Sequence, residues 1–324
     1  MSLQFGTFVP QGWRMDLIEI PDAIEKYEAM TRVAVAADAI SAYDSIWVYD
    51  HFHTVPVPTQ EATFECWTIT SALARDTKRV NIGQMCTCNG YRNPALMAKI
   101  ASTIDVLSHG RLYFGFGAGW YEHEWRAYGY GFPETKVRMK MFREACEILV
   151  KMWTEETPTF DGEHYHIHGP INEPRGVRKP YPSFWIAGGG EQVTLKLVAK
   201  YGNACNFGGT PEELGRKYEL LRGHCESVGR SYDEITRSMN ANIVLLQPGD
   251  DPERATEAVR KPYGWTMEQL HGQAIVGTSE QVAETLQAQV DAGVNYIITY
   301  FPRIAYDHAP MHQFAEEVAP KLKG

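Results

Sequence analysis

The chain has 324 residues, 44% of them hydrophobic and 22% charged, and a formal net charge of −9. This acidic balance and the absence of any Lys/Arg run argue against a nucleic-acid partner, since phosphate binding requires clustered positive charge. The sequence shows neither a secretory signal pattern nor an apolar run long enough to cross a bilayer. We therefore expect a cytoplasmic protein that binds a small molecule and has no membrane partner.

Continuous apolar runs rich in β-branched and aromatic residues recur along the chain and indicate strands buried on both faces, as in a parallel sheet. Eight such runs occupy residues 4–9, 45–50, 80–86, 112–117, 184–189, 204–209, 241–246 and 296–301. Segments with helical periodicity separate most of them. This alternation over residues 1–324 predicts a single-domain α/β fold, a (β/α)8 TIM barrel.

Three of the intervening segments carry clear helical signals. Residues 94–108 follow the capping residue Asn93, residues 135–153 repeat the apolar period, and residues 278–292 begin with capping-box spacing. The apolar stripe of the first helix is predicted to comprise Leu96, Ile100, Ile104 and Leu107.

Two stretches do not fit the simple alternation of one strand and one helix, and they occupy residues 155–182 and 247–276. We predict that both are insertions at or near the barrel mouth, where long loops are usually functional. The first contains HYHIH at 164–168, which places three histidines on one side of an extended segment. A surface hairpin is the favoured interpretation and a metal site the alternative, so we expect no metal.

The residues that end each strand are the candidates for chemistry, because barrel active sites lie at the carboxyl ends of the strands. Asp50 and His51 close the second run. GFGAGW at 115–120 fits either a dinucleotide turn or close packing of strand on helix. GGG at 188–190 opens into an amphipathic helix and fits either an anion site or a plain tight turn.

These motifs, in this order, resemble the bacterial-luciferase-like superfamily across essentially the whole chain. The similarity is carried by VYDH at 48–51, by LYFGFGAGWYEHEWRAYGYGFP at 112–133 and by the glycines at 188–190. The sequence around VYDH is similar to the branch that uses the deazaflavin coenzyme F420. The resemblance implies an F420-dependent oxidoreductase, with an FMN-dependent monooxygenase as the alternative and a ligand-storage barrel without turnover as a third hypothesis.

The resemblance also implies roles for individual residues. His51 would be the proton donor or acceptor, and a non-prolyl cis peptide would join Gln84 and Met85 against the coenzyme ring. The residues implied to contact the coenzyme are Asp50, Gln84, Met85, Thr87, Ala118, Gly119, Gly188, Gly189, Glu191 and Gln192. Those expected around the substrate are Phe8, Trp13, His53, Trp120 and Tyr121.

One departure bears on the substrate. The F420-dependent sugar-phosphate dehydrogenases of this superfamily have a glutamate where this chain has Trp120, which argues against glucose 6-phosphate and favours an apolar or aromatic, electron-poor or unsaturated molecule. Arg175, Arg178 and Lys179 either attract the anionic coenzyme tail or are solvated loop charges. The resemblance further leads us to expect a homodimer.

Overall fold

The strands and helices alternate along the chain in the computed structural model, which describes residues 2–324. Within that range the strands are β1 Gln4–Phe8, β2 Tyr43–Val48, β3 Asn81–Gln84, β4 Thr87–Cys88, β5 Leu112–Gly117, β6 Thr159–Asp161, β7 His166–His168, β8 Ser183–Ala187, β9 Ala204–Asn206, β10 Thr236–Leu245, β11 Ile275–Gly277 and β12 Tyr296–Tyr300. The helices are α1 Ala23–Ala39, α2 Cys66–Asp76, α3 Pro94–Leu107, α4 Glu122–Ala127, α5 Thr135–Thr154, α6 Thr194–Tyr201, α7 Pro211–Ser227, α8 Pro252–Ala255, α9 Glu257–Arg260, α10 Met267–His271, α11 Ser279–Asp291 and α12 Ala309–Gln313.

A closed parallel barrel is formed by β1, β2, β3, β5, β8, β9, β10 and β12, paired in that order, with β12 returning to β1. Each of the eight predicted runs supplies one of these strands, so the predicted (β/α)8 fold is confirmed. The short β4 continues the line of β3 along β5, and β11 extends the sheet beside the end of β10.

The three predicted helices are confirmed as α3, α5 and α11. Asn93 caps α3 by accepting hydrogen bonds from the first backbone N–H groups, and a capping box opens α11. The predicted stripe of α3 is wrong in part, because Leu96 and Leu107 are exposed. The buried face instead includes Ala98 and Ala101, whose small side chains let the helix lie close to its neighbours.

Large aromatic side chains fill the barrel interior below the carboxyl ends of the strands. Trp47 and Trp185 meet edge to face there, with ring centroids 4.8 Å apart. Trp47 has room because Gly83 faces it, and a Cβ at Gly83 would come within 2.2 Å of the indole ring. This packed layer fills the barrel below the carboxyl ends of the strands, where barrel active sites lie.

The first insertion, residues 155–182, supplies no residue to the lining of the cleft, and only the turn of its hairpin comes near the mouth, where the Asn89 side chain after β4 donates to the Tyr165 hydroxyl at 3.3 Å. It follows α5, which runs back toward the amino ends of the strands, and it packs along the outside of α3 and α5. Arg178 shows its position: its backbone N–H donates to Asp105 near the end of α3 at 2.9 Å, and its guanidinium lies 5.4 Å from the ring of Tyr113 at the start of β5. The predicted surface hairpin is confirmed as β6 and β7, which pair antiparallel.

The second insertion, residues 247–276, follows a strand and lies at the mouth as predicted. It folds into the short helices α8, α9 and α10 before β11. Its Tyr263 hydroxyl donates to the backbone carbonyl of Arg14, which joins the insertion to the loop after β1. None of the helices in residues 2–324 combines the length and apolar character needed to span a bilayer.

Candidate active site

His51 lies at the carboxyl end of the barrel and is held on three sides. Its ring stacks on Trp13, with centroids 4.3 Å apart and planes 3° from parallel, and meets Tyr121 edge to face at 5.8 Å. Its Nδ1 lies 2.8 Å from Oε2 of Glu124. Nε2 has no hydrogen-bond partner in residues 2–324, and the His51 side chain lines the central cleft. The ring therefore presents Nε2 to whatever the cleft binds.

Glu124, at the start of α4, is fully buried and accepts four hydrogen bonds. Oε2 accepts from His51 and from the Tyr91 hydroxyl at 2.6 Å, and Oε1 accepts from the backbone N–H groups of Phe52 at 2.6 Å and His53 at 2.8 Å. Burial raises the pKa of Glu124, but the bonds from His51, Tyr91 and the His53 backbone outweigh it and hold that pKa below its ordinary value. Since the carboxylate is ionised at neutral pH, Nδ1 of His51 carries the hydrogen between them.

Asp50 is paired with Arg92 beneath the cleft. Both carboxylate oxygens accept from the guanidinium, at 2.7 and 3.0 Å, and Oδ2 also accepts from the backbone N–H of Cys88 at 2.8 Å. Glu65 accepts a further bond from Arg92. Asp50 therefore fixes β4 and its loop against the end of β2. Its side chain still lines the cleft, and a direct contact with a coenzyme stays a prediction.

The cleft above the Asp50–Arg92 pair contains a central cavity of about 250 Å³. Its lining combines aromatic, thiol, amide and glycine groups from seven barrel strands and their loops, namely Trp13, Arg14, Tyr49, Asp50, His51, Met85, Cys86, Cys88, Tyr91, Gly119, Trp120, Ala187, Gly188, Asn206 and Asn240. Burial raises the pKa of Cys86 to about 12, so its thiol stays neutral. Wider spaces continue from this cavity in two directions.

One direction leads to a cradle of glycines before α6. Gly188 has a φ of +111°, which favours glycine. A Cβ at Gly189 would lie 2.8 Å from Nζ of Lys217, and one at Gly190 would lie 2.9 Å from Oγ1 of Thr194. Side chains at these positions would fill the cradle, so the glycines keep it open beside a helix N-terminus. An anionic group suits this end of the cleft.

Two cations from α7 face the cradle. Arg216 donates to Glu191 at 2.7 Å, and this bond holds the pKa of the partly exposed Glu191 carboxyl below its ordinary value. Lys217 makes no ion pair with any carboxylate in residues 2–324, and its Nζ lies 5.5 Å from the ring of Phe207. Lys217 is therefore available to an anion.

The other direction opens into an aromatic pocket of about 390 Å³. Its walls come from the loops after β1, β2 and β5 and from the second insertion, and they comprise Trp13, Arg14, Val55, Pro56, Trp120, Tyr121, Tyr263, Trp265 and Gln273. Tyr263 and Trp265 stack with centroids 4.1 Å apart. The second insertion thus supplies one wall of the pocket.

Most residues predicted for the site are brought together on this continuous cleft. They are Trp13, Asp50, His51, Met85, Ala118, Gly119, Trp120, Tyr121, Gly188, Gly189, Glu191 and Gln192. The non-prolyl cis peptide joins Met85 and Cys86, one bond later than predicted, in the break between β3 and β4.

Two residues predicted to touch the coenzyme lie outside the cleft lining. Gln84 is fully buried, and its side-chain amide donates to Oγ1 of Thr70 in α2 at 3.1 Å, so it points into the helix layer. Thr87 is fully buried as well. Neither position supports the predicted direct contact. The strand alternation that exposes Met85 to the cleft turns its neighbour Gln84 away.

Two residues predicted for the substrate are also displaced from the cleft. Phe8 is fully buried and stacks beneath Tyr49, with centroids 4.2 Å apart. His53 lines a separate cavity beside His123, on the far side of the loop that follows β2. These placements do not support a direct substrate contact for either residue.

Sequence patterns did not single out several residues that the structure places on the cleft or behind His51. They are Arg14, Tyr49, Glu124, Asn206, Asn240, Arg216, Lys217, Tyr263 and Trp265. Glu124 lies 73 positions from His51 in the chain, and no local spacing connects such a pair. The one available signal was position, since Asn206 lies within the predicted strand 204–209 and ends the observed β9.

The cleft sets the His51 imidazole and a glycine cradle at the carboxyl end of the barrel, the arrangement of a TIM-barrel enzyme. Residues 3–271 match the family model of the luciferase-like monooxygenases. The chain belongs to this family.

Relatives within the family carry more specific names. An F420-dependent glucose-6-phosphate dehydrogenase from Intrasporangium calvum is 30% identical, over 87% of this chain and 91% of its own length. A phthiodiolone/phenolphthiodiolone dimycocerosates ketoreductase from Mycobacterium sp. strain JLS is 26% identical, over 74% of this chain and 67% of its own length. A solved F420-dependent secondary alcohol dehydrogenase in complex with an F420-acetone adduct superposes over the full length of both chains, with a TM-score of 0.79 and 20% identity. The resemblance to the luciferase-like superfamily and its F420-dependent branch is confirmed.

Proposed function

We propose that this protein is an F420-dependent oxidoreductase that transfers a hydride between the deazaflavin and a small apolar or aromatic substrate. The observation that carries the proposal is His51, whose Nδ1 is held by the buried carboxylate of Glu124 and whose ring lines a cleft that has an anion cradle at one end and an aromatic pocket at the other. The F420-dependent names of the curated relatives support this choice of coenzyme.

The residues of the cleft fit a phosphate-bearing coenzyme with a flat ring. Lys217 is unpaired beside the backbone of Gly189 and Gly190, and these groups would hold the phosphate. Because Gly119 has no side chain and Ala187 has a small one, space remains next to Met85, where a ring would lie. When bound, the deazaflavin supplies hydride chemistry, because it has carbon where a flavin has its reactive nitrogen.

His51 handles the proton that accompanies the hydride. Because Glu124 occupies Nδ1, Nε2 is the atom that gives a proton to the reduced substrate or takes one from the substrate that is oxidised. The four hydrogen bonds that Glu124 accepts keep its carboxylate from moving and so hold the Nδ1 side of the His51 ring in place. Trp13 stacks on one face of the imidazole ring and fixes the orientation of the ring plane.

The substrate is proposed to be apolar or aromatic and electron-poor or unsaturated. The pocket beyond His51 is walled largely by aromatic rings, and such walls bury an apolar body well. Trp120 stands at the position where the sugar-phosphate dehydrogenases carry a glutamate, and it borders the central cavity and both of its extensions. A ketone fits this description, in line with the ketoreductase and alcohol dehydrogenase names of the relatives.

Coenzyme titration tests the proposal directly. Purified protein would be titrated with F420 and, separately, with FMN, and binding followed by the absorbance and fluorescence of each. We expect tight binding of F420 and weak or no binding of FMN. Oxidation of bound reduced F420 by a panel of aromatic ketones and enones, in a single turnover, would then establish catalysis. Tight FMN binding without F420 binding would favour the monooxygenase, and F420 binding without oxidation by any acceptor would favour a storage protein.

A further inference from the structure

Arg14 lies where the central cavity meets the aromatic pocket, and it lines both. Its guanidinium is surrounded by rings: the carbon at its centre lies 4.6 Å from the ring of Tyr300, 5.4 Å from that of Trp13 and 5.7 Å from that of Tyr49. These cation–π contacts hold the side chain in place without satisfying its N–H donors. His51 lines the same cavity.

The guanidinium of Arg14 makes no hydrogen bond or ion pair with any other group in residues 2–324. Its Nε is completely buried without a partner, and the side chain lines the central cavity, the aromatic pocket and a smaller space beside Asp16. A buried donor of a charged group is costly to leave unpaired, and arginine normally donates to a carboxylate or carbonyl at such a position. An unpaired, fixed cation therefore lies beside the site.

The nearest acid does not neutralise Arg14. Asp16 acts on it electrostatically, but Oδ1 of Asp16 accepts from the backbone N–H of Gly12 at 2.7 Å and Oδ2 lies 3.4 Å from the Tyr300 hydroxyl. The backbone carbonyl of Arg14 accepts from Tyr263. The contacts around Arg14 thus fix its backbone and its ring neighbours while leaving the fork of the guanidinium free.

We propose that Arg14 is a specificity residue that binds an anionic group of the substrate, a carboxylate, while the aromatic body of the substrate fills the pocket formed with the second insertion. This assignment rests on the proposed function, because it names the substrate class of the same cleft. A planar carboxylate matches the guanidinium fork. With the acid at Arg14 and the body among Trp120, Tyr263 and Trp265, the substrate would border the central cavity, which Arg14, Trp120 and His51 all line.

The experiment compares two compounds of nearly the same shape, trans-cinnamate and trans-cinnamamide, by calorimetric titration of the protein with and without F420. We expect the wild-type protein to bind cinnamate about tenfold or more tighter than the neutral amide, as a charge-assisted bond predicts. Arg14→Met should remove this preference, and Arg14→Lys should retain part of it. Arg32→Met is the matched control, because it removes an equal charge from the exposed surface of α1, and it should keep the full preference.

The results separate this proposal from the proposed function. A wild-type protein that does not distinguish the two compounds, whether it binds both or neither, overturns the role of Arg14, and so does an Arg14→Met variant that keeps the preference. F420 affinity measured on the same samples reports on the coenzyme assignment independently. If Arg14→Met does not fold, the wild-type comparison and the Arg14→Lys variant still decide the question.

Discussion

The two insertions have similar lengths and similar loop-like compositions, yet only one of them contributes to the cleft. Residues 155–182 follow a helix and pack along the outside of α3 and α5, whereas residues 247–276 follow a strand and supply Tyr263 and Trp265 to the aromatic pocket. In a (β/α)8 barrel the segments after strands lie at the catalytic end, and those after helices lie at the opposite end or along the sides. The position of a long loop in the β/α order therefore says more about its role than its composition does.

The largest expected difference between the two regions is catalytic. His51→Ala should lower turnover by a factor on the order of 10² to 10⁴, the usual contribution of a general acid or base, while the dissociation constant of F420 changes little. His166→Ala, in the exposed hairpin of the first insertion, should leave both unchanged. Turnover and F420 binding measured side by side check this, and unchanged turnover in His51→Ala would show that the proton assignment is wrong.

A second contrast concerns a buried acid at the catalytic end. Asp16 is 7% exposed, and burial raises its pKa to about 6, although the Gly12 backbone, Arg14 and Tyr300 oppose the shift. The folded protein therefore keeps the proton to a higher pH than the unfolded chain, which releases it near pH 4. Ionisation of Asp16 above pH 6 costs the native state about 3 kcal/mol, and this cost disappears as the pH falls toward 4.

Asp16→Asn should accordingly stabilise the protein by about 3 kcal/mol at pH 8, and the gain should shrink to nothing near pH 4. The free energy of unfolding of wild type and variant, measured in urea across this pH range, provides the test. A difference that does not depend on pH would contradict the assignment of burial as the cause.

Replacing a buried acid that holds the first insertion should change the free energy of unfolding in the opposite direction. Glu144 in α5 is also 7% exposed, but it accepts hydrogen bonds from the backbone N–H groups of Glu163, His164 and Tyr165 in the hairpin turn. Glu144→Ala should lower the free energy of unfolding by about 2 kcal/mol, because buried donors lose their acceptor, with no change in F420 affinity. Glu163→Ala, which removes an exposed pair with Lys140 and a 3.9 Å contact with His164, is the control and should cost less than about 1 kcal/mol. A loss of F420 affinity in Glu144→Ala would contradict the separation of the two regions.

Smaller effects should appear when single apolar side chains of the insertions are removed. Trp265→Ala opens one wall of the aromatic pocket and should raise the KM for any acceptor that oxidises the bound coenzyme by about tenfold, equivalent to roughly 1.4 kcal/mol. Ile171→Ala removes an exposed side chain of the first insertion and should leave KM unchanged. Equal effects from the two variants would argue that the cleft extends further than the structure indicates.

The smallest effect is expected for the basic loop of the first insertion. Arg178 lies beside Tyr113, and Arg175 pairs with Glu173, both away from the glycine cradle. Replacing Arg175, Arg178 and Lys179 together with alanine should leave the F420 dissociation constant within about twofold of wild type, since exposed charges beyond a Debye length are screened. A marked weakening at moderate salt would restore the loop as a binding site for the coenzyme tail.

The local sequence pattern was sufficient to predict the strands and to place many residues at the site, because both depend on residues close together in the chain. Each barrel strand is a continuous apolar run, and the residues that follow a strand must lie at its carboxyl end. His51, Gly119 and Gly188 could therefore be placed at the barrel mouth from position, whereas their predicted roles come from the family resemblance. Gln84 and Phe8 could not, since one residue of slip in a strand turns a side chain from the cleft to the helix layer or into the barrel.

The sequence by itself determined the eight-stranded barrel, the helix caps and the ends of the strands, because hydrophobic period and capping chemistry act over a few residues. Only the tertiary structure decided that Glu124 holds His51, that Asp50 is paired with Arg92 and that Arg14 stands unpaired between two cavities. The first two contacts join residues tens of positions apart, and the third finding depends on which groups lie around Arg14. Neither can be known before the chain has folded into its tertiary structure.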